Sequence, residues 1–186
     1  GKTEMLLRFL ILLFLFLNLN AVTFATEQKI FKNITTENIL NNFFPNFKLV
    51  GQATYKFLLL KIYEAKLISE TGKFPAEKFA LILKYNRDFT KKSVVKETIE
   101  QLQFQKKYNK KELIELNKLL NQAFRPIKKN DQFIAIKLKN KGIFYFKDEK
   151  VLETSDMEFL NLFFNIWLRE NSESPDFTKS LIGKDS

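Results

Sequence analysis

From Phe47 to Ile68 apolar side chains recur with a period of two, on both parities. Tyr55, Phe57, Leu59, Lys61 and Tyr63 share one face of an extended chain; Lys56, Leu58, Leu60, Ile62 and Glu64 share the other. This pattern predicts one long strand, bent or bulged at Gly51, whose middle is covered on both sides. Phe79–Tyr85 predicts a second strand, with Phe79, Leu81, Leu83 and Tyr85 on one face and Ala80 and Ile82 on the other. Thr71-Gly72-Lys73 is the turn between them. Ahead of them, residues 35–44 predict a short helix with Thr35 as cap, Ile39, Leu40, Phe43 and Phe44 on one side, and Pro45 as its stop.

The period then changes. Val94, Val95, Thr98, Ile99 and Leu102 form a helical stripe behind a cap at Asp88 or Thr90. Leu113, Leu116, Leu120 and Phe124 form a second stripe, opened by Asn109 with Glu112 three residues on and stopped by Pro126. Strand signals return at Phe133–Leu138 and Ile143–Phe146 around Asn140-Lys141-Gly142, which predicts a hairpin loop with Gly142 left-handed. Lys147-Asp148-Glu149 turns into Val151–Glu153. A helix capped by Ser155 or Asp156 follows, carrying Phe159, Leu160, Leu162, Phe163, Phe164, Ile166 and Trp167; a helix so apolar is buried. A last short helix covers Phe177–Ile182. The order predicts an α+β fold with helices packed on an antiparallel sheet.

The N-terminal segment reads as an address rather than part of this fold. Gly1–Glu4 precede Met5 and read as an upstream remnant. Arg8, the nine apolar residues Phe9–Leu17 and Thr23-Phe24-Ala25 have the layout of a secretory signal peptide cleaved after Ala25. The alternative is an uncleaved anchor, although a spanning helix wants about 20 apolar residues. Residues 26–186 then form one domain, soluble once the leader is removed.

Composition narrows the chemistry. With no cysteine and no histidine, the chain has no thiol or imidazole nucleophile system, no disulfide and no His-ligated metal site. No cofactor is expected. The net charge of +10 is carried by lysines scattered singly and in pairs, often beside acidic residues, and reads as solvation. No nucleic-acid partner is expected. Twenty-one phenylalanines exceed what a surface needs and imply a bulky aromatic core.

Five strings in order extend the reading: Leu49–Thr54 leading to Lys61–Ala65; Leu83–Asp88; Lys129–Gln132; Lys141–Phe146; and Phe163–Leu168 followed by Ser180–Gly183. Over about residues 45–183 the chain resembles the chalcone-isomerase-like family, specifically its bacterial exported branch. The resemblance implies an open-faced sandwich, a large antiparallel sheet with a layer of helices on one face, and a ligand cleft between the two. It also implies one of two modes: cyclisation of a chalcone, or binding of a fatty acid gripped by an Arg and a Tyr. The chain departs from the catalytic pattern. Tyr55-Lys56 stand where an Arg is expected, and Phe89 and Leu160 fall near positions where the family's enzymes carry hydroxyl groups.

The expected function is therefore non-catalytic binding of a small apolar or carboxylate ligand. The alternatives are an isomerase acting on another substrate, and a periplasmic adaptor without a ligand. The candidate ligand-binding residues are Lys56, Tyr63, Tyr85 and Arg87. Each has a plainer reading: Lys56 as a strand lysine reaching solvent, Tyr63 as a core tyrosine, Arg87 as the partner of Asp88 at a helix start. Phe57, Leu59, Phe79, Leu83, Phe163 and Trp167 are candidates to wall the cleft, although a tryptophan such as Trp167 is more often core than ligand platform. Arg169 reads as a cation at a helix C-terminus.

Intact-mass measurement of the protein recovered from the periplasm should give a chain starting near Thr26. A chain that keeps Phe9–Leu17 would contradict the cleaved leader.

Overall fold

The computed structural model describes residues 34–184. The predicted leader and its cleavage site lie outside the described residues. In chain order the elements are α1 (Ile34–Asn41), β1 (Lys48–Phe57), β2 (Leu60–Ser69), β3 (Phe79–Tyr85), α2 (Lys91–Gln103), α3 (Lys110–Ala123), β4 (Gln132–Lys137), β5 (Gly142–Phe146), β6 (Glu149–Thr154), α4 (Met157–Leu168) and α5 (Pro175–Leu181). The fold is α+β, as expected. The six strands form one antiparallel sheet in the order β1-β2-β3-β4-β5-β6.

The predicted long strand is in fact two. The chain reverses at Leu58-Leu59, so Tyr55 pairs with Tyr63, Lys56 with Lys61 and Phe57 with Leu60. The alternating faces read across residues 55–64 therefore do not run along one strand. Far from being covered on both sides, Phe57, Leu58, Leu59 and Leu60 are exposed. The bend at Gly51 is present, as a register shift between Leu49 and Gly51.

Strands β3, β4 and β5 are apolar on both faces, and both faces are covered. One presents Leu81, Leu83, Phe133, Ala135, Phe144 and Phe146 to the apolar faces of α2, α3, α4 and α5. The opposite face presents Ile68, Ala80, Ile82, Ile134 and Ile136, all buried. Helix α1 lies on this second face. Thr36 hydrogen-bonds the Gln132 side chain, and Phe43 meets Tyr145 at 6.4 Å between ring centroids. Gln132 and Tyr145 alternate with Phe133, Phe144 and Phe146 of the first face, which fixes the side.

Helices α2, α3 and α4 start where the sequence places their caps, whereas Thr35, expected as a cap, lies inside α1, which ends at Asn41 rather than at residue 44. The Thr90 hydroxyl accepts from Ser93 N at 3.1 Å, and Asp156 accepts from Phe159 N at 3.0 Å. Asn109 and Glu112 form the full reciprocal capping box. Asp88 is engaged elsewhere, and its carboxylate accepts from Lys129 N at 2.8 Å and pairs with Lys128 at 3.1 Å.

The space between sheet and helices holds packed rings. Phe163 lies at their centre, 4.7 Å from Phe144, 5.2 Å from Trp167, 5.7 Å from Phe164 and 5.8 Å from Phe159. Phe164 in turn meets Phe79 edge-on at 4.9 Å. Burying each such ring contributes about 1.5–3 kcal/mol, and edge-to-face geometry adds a smaller increment.

Two glycines show how tight the packing is. A Cβ at Gly51 would lie 2.2 Å from the Ser180 carbonyl oxygen, so β1 and α5 approach backbone to backbone. A Cβ at Gly142 would lie 2.3 Å from Leu160 Cδ2. Gly142 is not left-handed, unlike the expectation; it opens β5 opposite Lys137, and its missing side chain makes room for α4.

Candidate functional site

The hairpin register brings Tyr63 and Tyr85 together. They are partners across β2 and β3, on the helix-facing side of the sheet, with ring centroids 6.0 Å apart. Tyr55, from the neighbouring register position on β1, stacks on Tyr63 at 5.1 Å. Phe177 of α5 meets Tyr55 at 5.9 Å and Tyr63 at 6.0 Å, both edge-on. Phe89 meets Tyr85 at 5.9 Å. Three hydroxyl groups from three adjacent strands thus collect at one end of the sheet, under the aromatic residues of α5 and the loop that leads into α2.

Their hydrogen bonding differs. Trp167 Nε1 donates to the Tyr63 hydroxyl at 3.0 Å, tying α4 to β2. That bond uses the oxygen of Tyr63 as acceptor and leaves its proton available to donate. Tyr85 is buried, yet among the described residues its hydroxyl has no hydrogen-bond partner. A buried donor without a protein acceptor calls for a water or a ligand atom.

Burial pushes the Tyr85 phenol well above its ordinary range. Burial does the same for Tyr63, opposed by the Trp167 hydrogen bond, although part of the Tyr63 residue stays accessible. Both groups therefore remain neutral hydroxyl donors at any physiological pH. They can hydrogen-bond an oxygen anion or carbonyl, but they do not supply a phenolate base.

Lys56 and Arg87 stand apart from this pair. Lys56 is exposed near the hairpin end, on the residue after Tyr55, and Arg87 is exposed two residues beyond Tyr85. Asp88 pairs with Lys128 rather than Arg87. Of the four candidate residues, the structure joins Tyr63 and Tyr85 and leaves the two cations at the rim. Of the candidate cleft walls, Phe79, Leu83, Phe163 and Trp167 are buried in the ring-packed core, while Phe57 and Leu59 point to solvent with 60% and 95% of their surface exposed.

Three further residues, which the sequence reading does not count among the ligand-binding candidates, lie near this cluster in the chain or in space. Tyr55 belongs to the ring stack. Asn86 follows Tyr85, and its backbone N donates to Ile62 O at 2.9 Å. Arg169 caps α4 two residues after Trp167, with its Nε buried and unpartnered. The sequence reading places it as a cation at a helix C-terminus, and it is there; the buried Nε goes beyond that reading, since a buried guanidinium nitrogen is costly unless something receives it. Among the described residues no group of acidic, histidine or cysteine side chains is arranged to hold a metal ion.

Two grooves open elsewhere. One of about 650 Å³ lies along α2 and α3, lined by Lys91, Lys96, Ile99, Gln103 and Asn117 among others. One of about 250 Å³ lies between the start of α3 and α4, around Tyr108, Leu119, Phe159 and Leu162. Neither includes the tyrosine cluster or a sheet residue.

The sign of the pH dependence follows from the tyrosines. An unfolded phenol ionises near pH 10. The folded values lie higher, so the stability these groups contribute is complete below about pH 10 and is lost as pH rises further. In an alkaline titration, phenolate absorbance from Tyr63 and Tyr85 should appear together with loss of the near-ultraviolet circular dichroism. Reversible ionisation of all five tyrosines in the folded protein would contradict the buried placement.

No protein-family model matches the chain. An uncharacterized protein of Haemophilus influenzae is 27% identical over 143 residues, which cover 76% of this chain and 70% of that protein. Among solved structures, the fatty-acid binding protein AtFAP1 of Arabidopsis thaliana superposes with a TM-score of 0.55 at 10% identity, over 74% of this chain and 87% of that one. At this identity the likeness is one of fold: this chain shares with that protein its mixed arrangement of an antiparallel sheet and helices.

Proposed function

We propose that this chain is a non-catalytic, exported protein of the chalcone-isomerase-like kind that binds an apolar acid, such as a fatty acid, at the tyrosine end of its sheet. The observation that carries this reading is the Tyr85 hydroxyl, a buried donor without a protein acceptor, beside a Tyr63 hydroxyl whose proton is also unassigned. Two neutral donors next to apolar rings suit a carboxylate whose chain lies on those rings. Hydrogen bonds to a charged acceptor are the stronger kind. Arg169 supplies a cation on the element that carries Trp167, and Lys56 and Arg87 are cations at the rim. The fold shared with a fatty-acid binding protein supports the same ligand class.

The ring-packed core changes where such a ligand goes. It lies against Tyr55, Tyr63, Tyr85 and Phe177, at the end of the sheet, rather than along the centre of the interface. Burying about 300 Å² of apolar ligand at roughly 25 cal/mol/Å² gives about 7 kcal/mol, and association costs reduce this to micromolar affinity. A second reading is an adaptor without a ligand, and the packed rings at the centre favour it.

Fatty-acid titration followed by the fluorescence of Trp167, the single tryptophan, separates the two. The binding reading expects micromolar dissociation constants, weakened about three- to tenfold in Tyr85→Phe, as loss of one hydrogen bond implies. Lys56→Ala should change affinity less. If no fatty acid binds below about a millimolar, the adaptor reading replaces the carrier.

A further inference from the structure

The β1–β2 hairpin ends in Phe57-Leu58-Leu59-Leu60, exposed by 60%, 81%, 95% and 44%. Only Phe104 and Ile114 among the other described large apolar residues are exposed, so the exposed apolar surface is concentrated at this one tip. Directly behind it, Lys56 and Lys61 face each other as register partners. Both are exposed, and among the described residues neither forms an ion pair.

Neither feature serves the fold. Like charges directly opposite on neighbouring strands are unfavourable. Two-residue hairpins close without strain on Asn-Gly or Gly-containing pairs; here the turn is Leu-Leu, and Leu58 holds a φ of 55°, which a leucine adopts at a cost. Lysines on an edge strand guard against aggregation, and that would account for Lys56 and Lys61 alone. It leaves the four apolar residues beyond them without a reason.

We propose that this hairpin tip is a docking wedge for an anionic lipid bilayer. The four apolar side chains enter the acyl boundary and the lysine pair meets the phosphate layer. The spacing fits: two residue steps run from each lysine to the turn, roughly 7 Å at about 3.4 Å per residue, within the 5–10 Å depth of interfacial insertion. The chain's net charge of +10 favours the same surface. The tip is a two-residue turn flanked by one exposed residue on each strand, too small to offer a flat face to a protein groove. A second copy joined tip to tip would bring two Lys56–Lys61 pairs together and be repelled. The docking holds whether or not the tyrosine cluster takes a ligand.

The chain has no cysteine, so Leu59→Cys accepts a single environment-sensitive fluorophore, and Ile114→Cys a control label. The full chain is used, because the label reads the surroundings of the tip and not attachment of the chain by another segment. With vesicles of phosphatidylglycerol and phosphatidylcholine, the Leu59 label should shift to the blue and be quenched by acyl-chain spin labels, while the Ile114 label stays unchanged. With phosphatidylcholine alone the response should fall at least tenfold. Lys56→Glu with Lys61→Glu in the labelled chain should weaken it at least tenfold again, with an unchanged circular dichroism spectrum. The proposal is overturned if the Leu59 label stays in water on anionic vesicles or responds equally to both vesicle types. A shift that grows with protein concentration in the absence of vesicles would overturn it in favour of a second copy.

Discussion

The structure depends on a sheet whose central strands are apolar on both faces. Such a sheet is stable only when water is kept from each side. Helix α4 does this on one face with Phe159, Phe163, Phe164 and Trp167, and α1 with the turn after it does so on the other, where Leu40 and Phe44 are buried. The ring packing around Phe163 is dense, and its directional edge contacts leave α4 little freedom to slide. The position of α4 in turn decides the rest: Trp167 reaches Tyr63, and Leu160 occupies the space left by Gly142.

The strings that carry the family resemblance meet in space. Gly51 and Val50 touch Ser180, Leu181 and Gly183. Tyr63 bonds Trp167. Tyr85 exchanges backbone hydrogen bonds with Asn130 and Asp131, at 2.8 and 3.0 Å, and Asp88 holds Lys129 N. These residues are thus mutual packing and hydrogen-bonding partners, which accounts for them as elements of a fold before any chemistry is asked of them. The Tyr85 hydroxyl is the group such contacts leave unfinished, and the proposed ligand is assigned to it.

Local interactions were legible in the sequence and long-range ones were not. The caps at Thr90, Asn109 and Asp156 depend on residues three apart, and each is found. The reversal at Leu58-Leu59 was hidden because its turn contains no Gly, Asn or Pro and its apolar residues continue the strand alternation. That missed turn also obscured the site, since Tyr55, Tyr63 and Tyr85 share a face only once the hairpin sets their register. Gly142 suggested a turn by residue type, whereas its actual constraint comes from Leu160, eighteen residues away. The abundance of phenylalanine correctly announced an aromatic core, but composition does not distinguish a ring-lined cleft from a ring-filled one.

The central claim is that the middle of the sheet–helix interface is filled and that the ligand-facing groups are the tyrosines at its end. Nuclear magnetic resonance of protein labelled in its Phe and Tyr rings, titrated with a long-chain fatty acid, tests this most directly. Shifts are expected in Tyr55, Tyr63, Tyr85 and Phe177, with Phe144 and Phe163 unmoved. Displacement of the Phe144 and Phe163 signals with the tyrosines silent would contradict it.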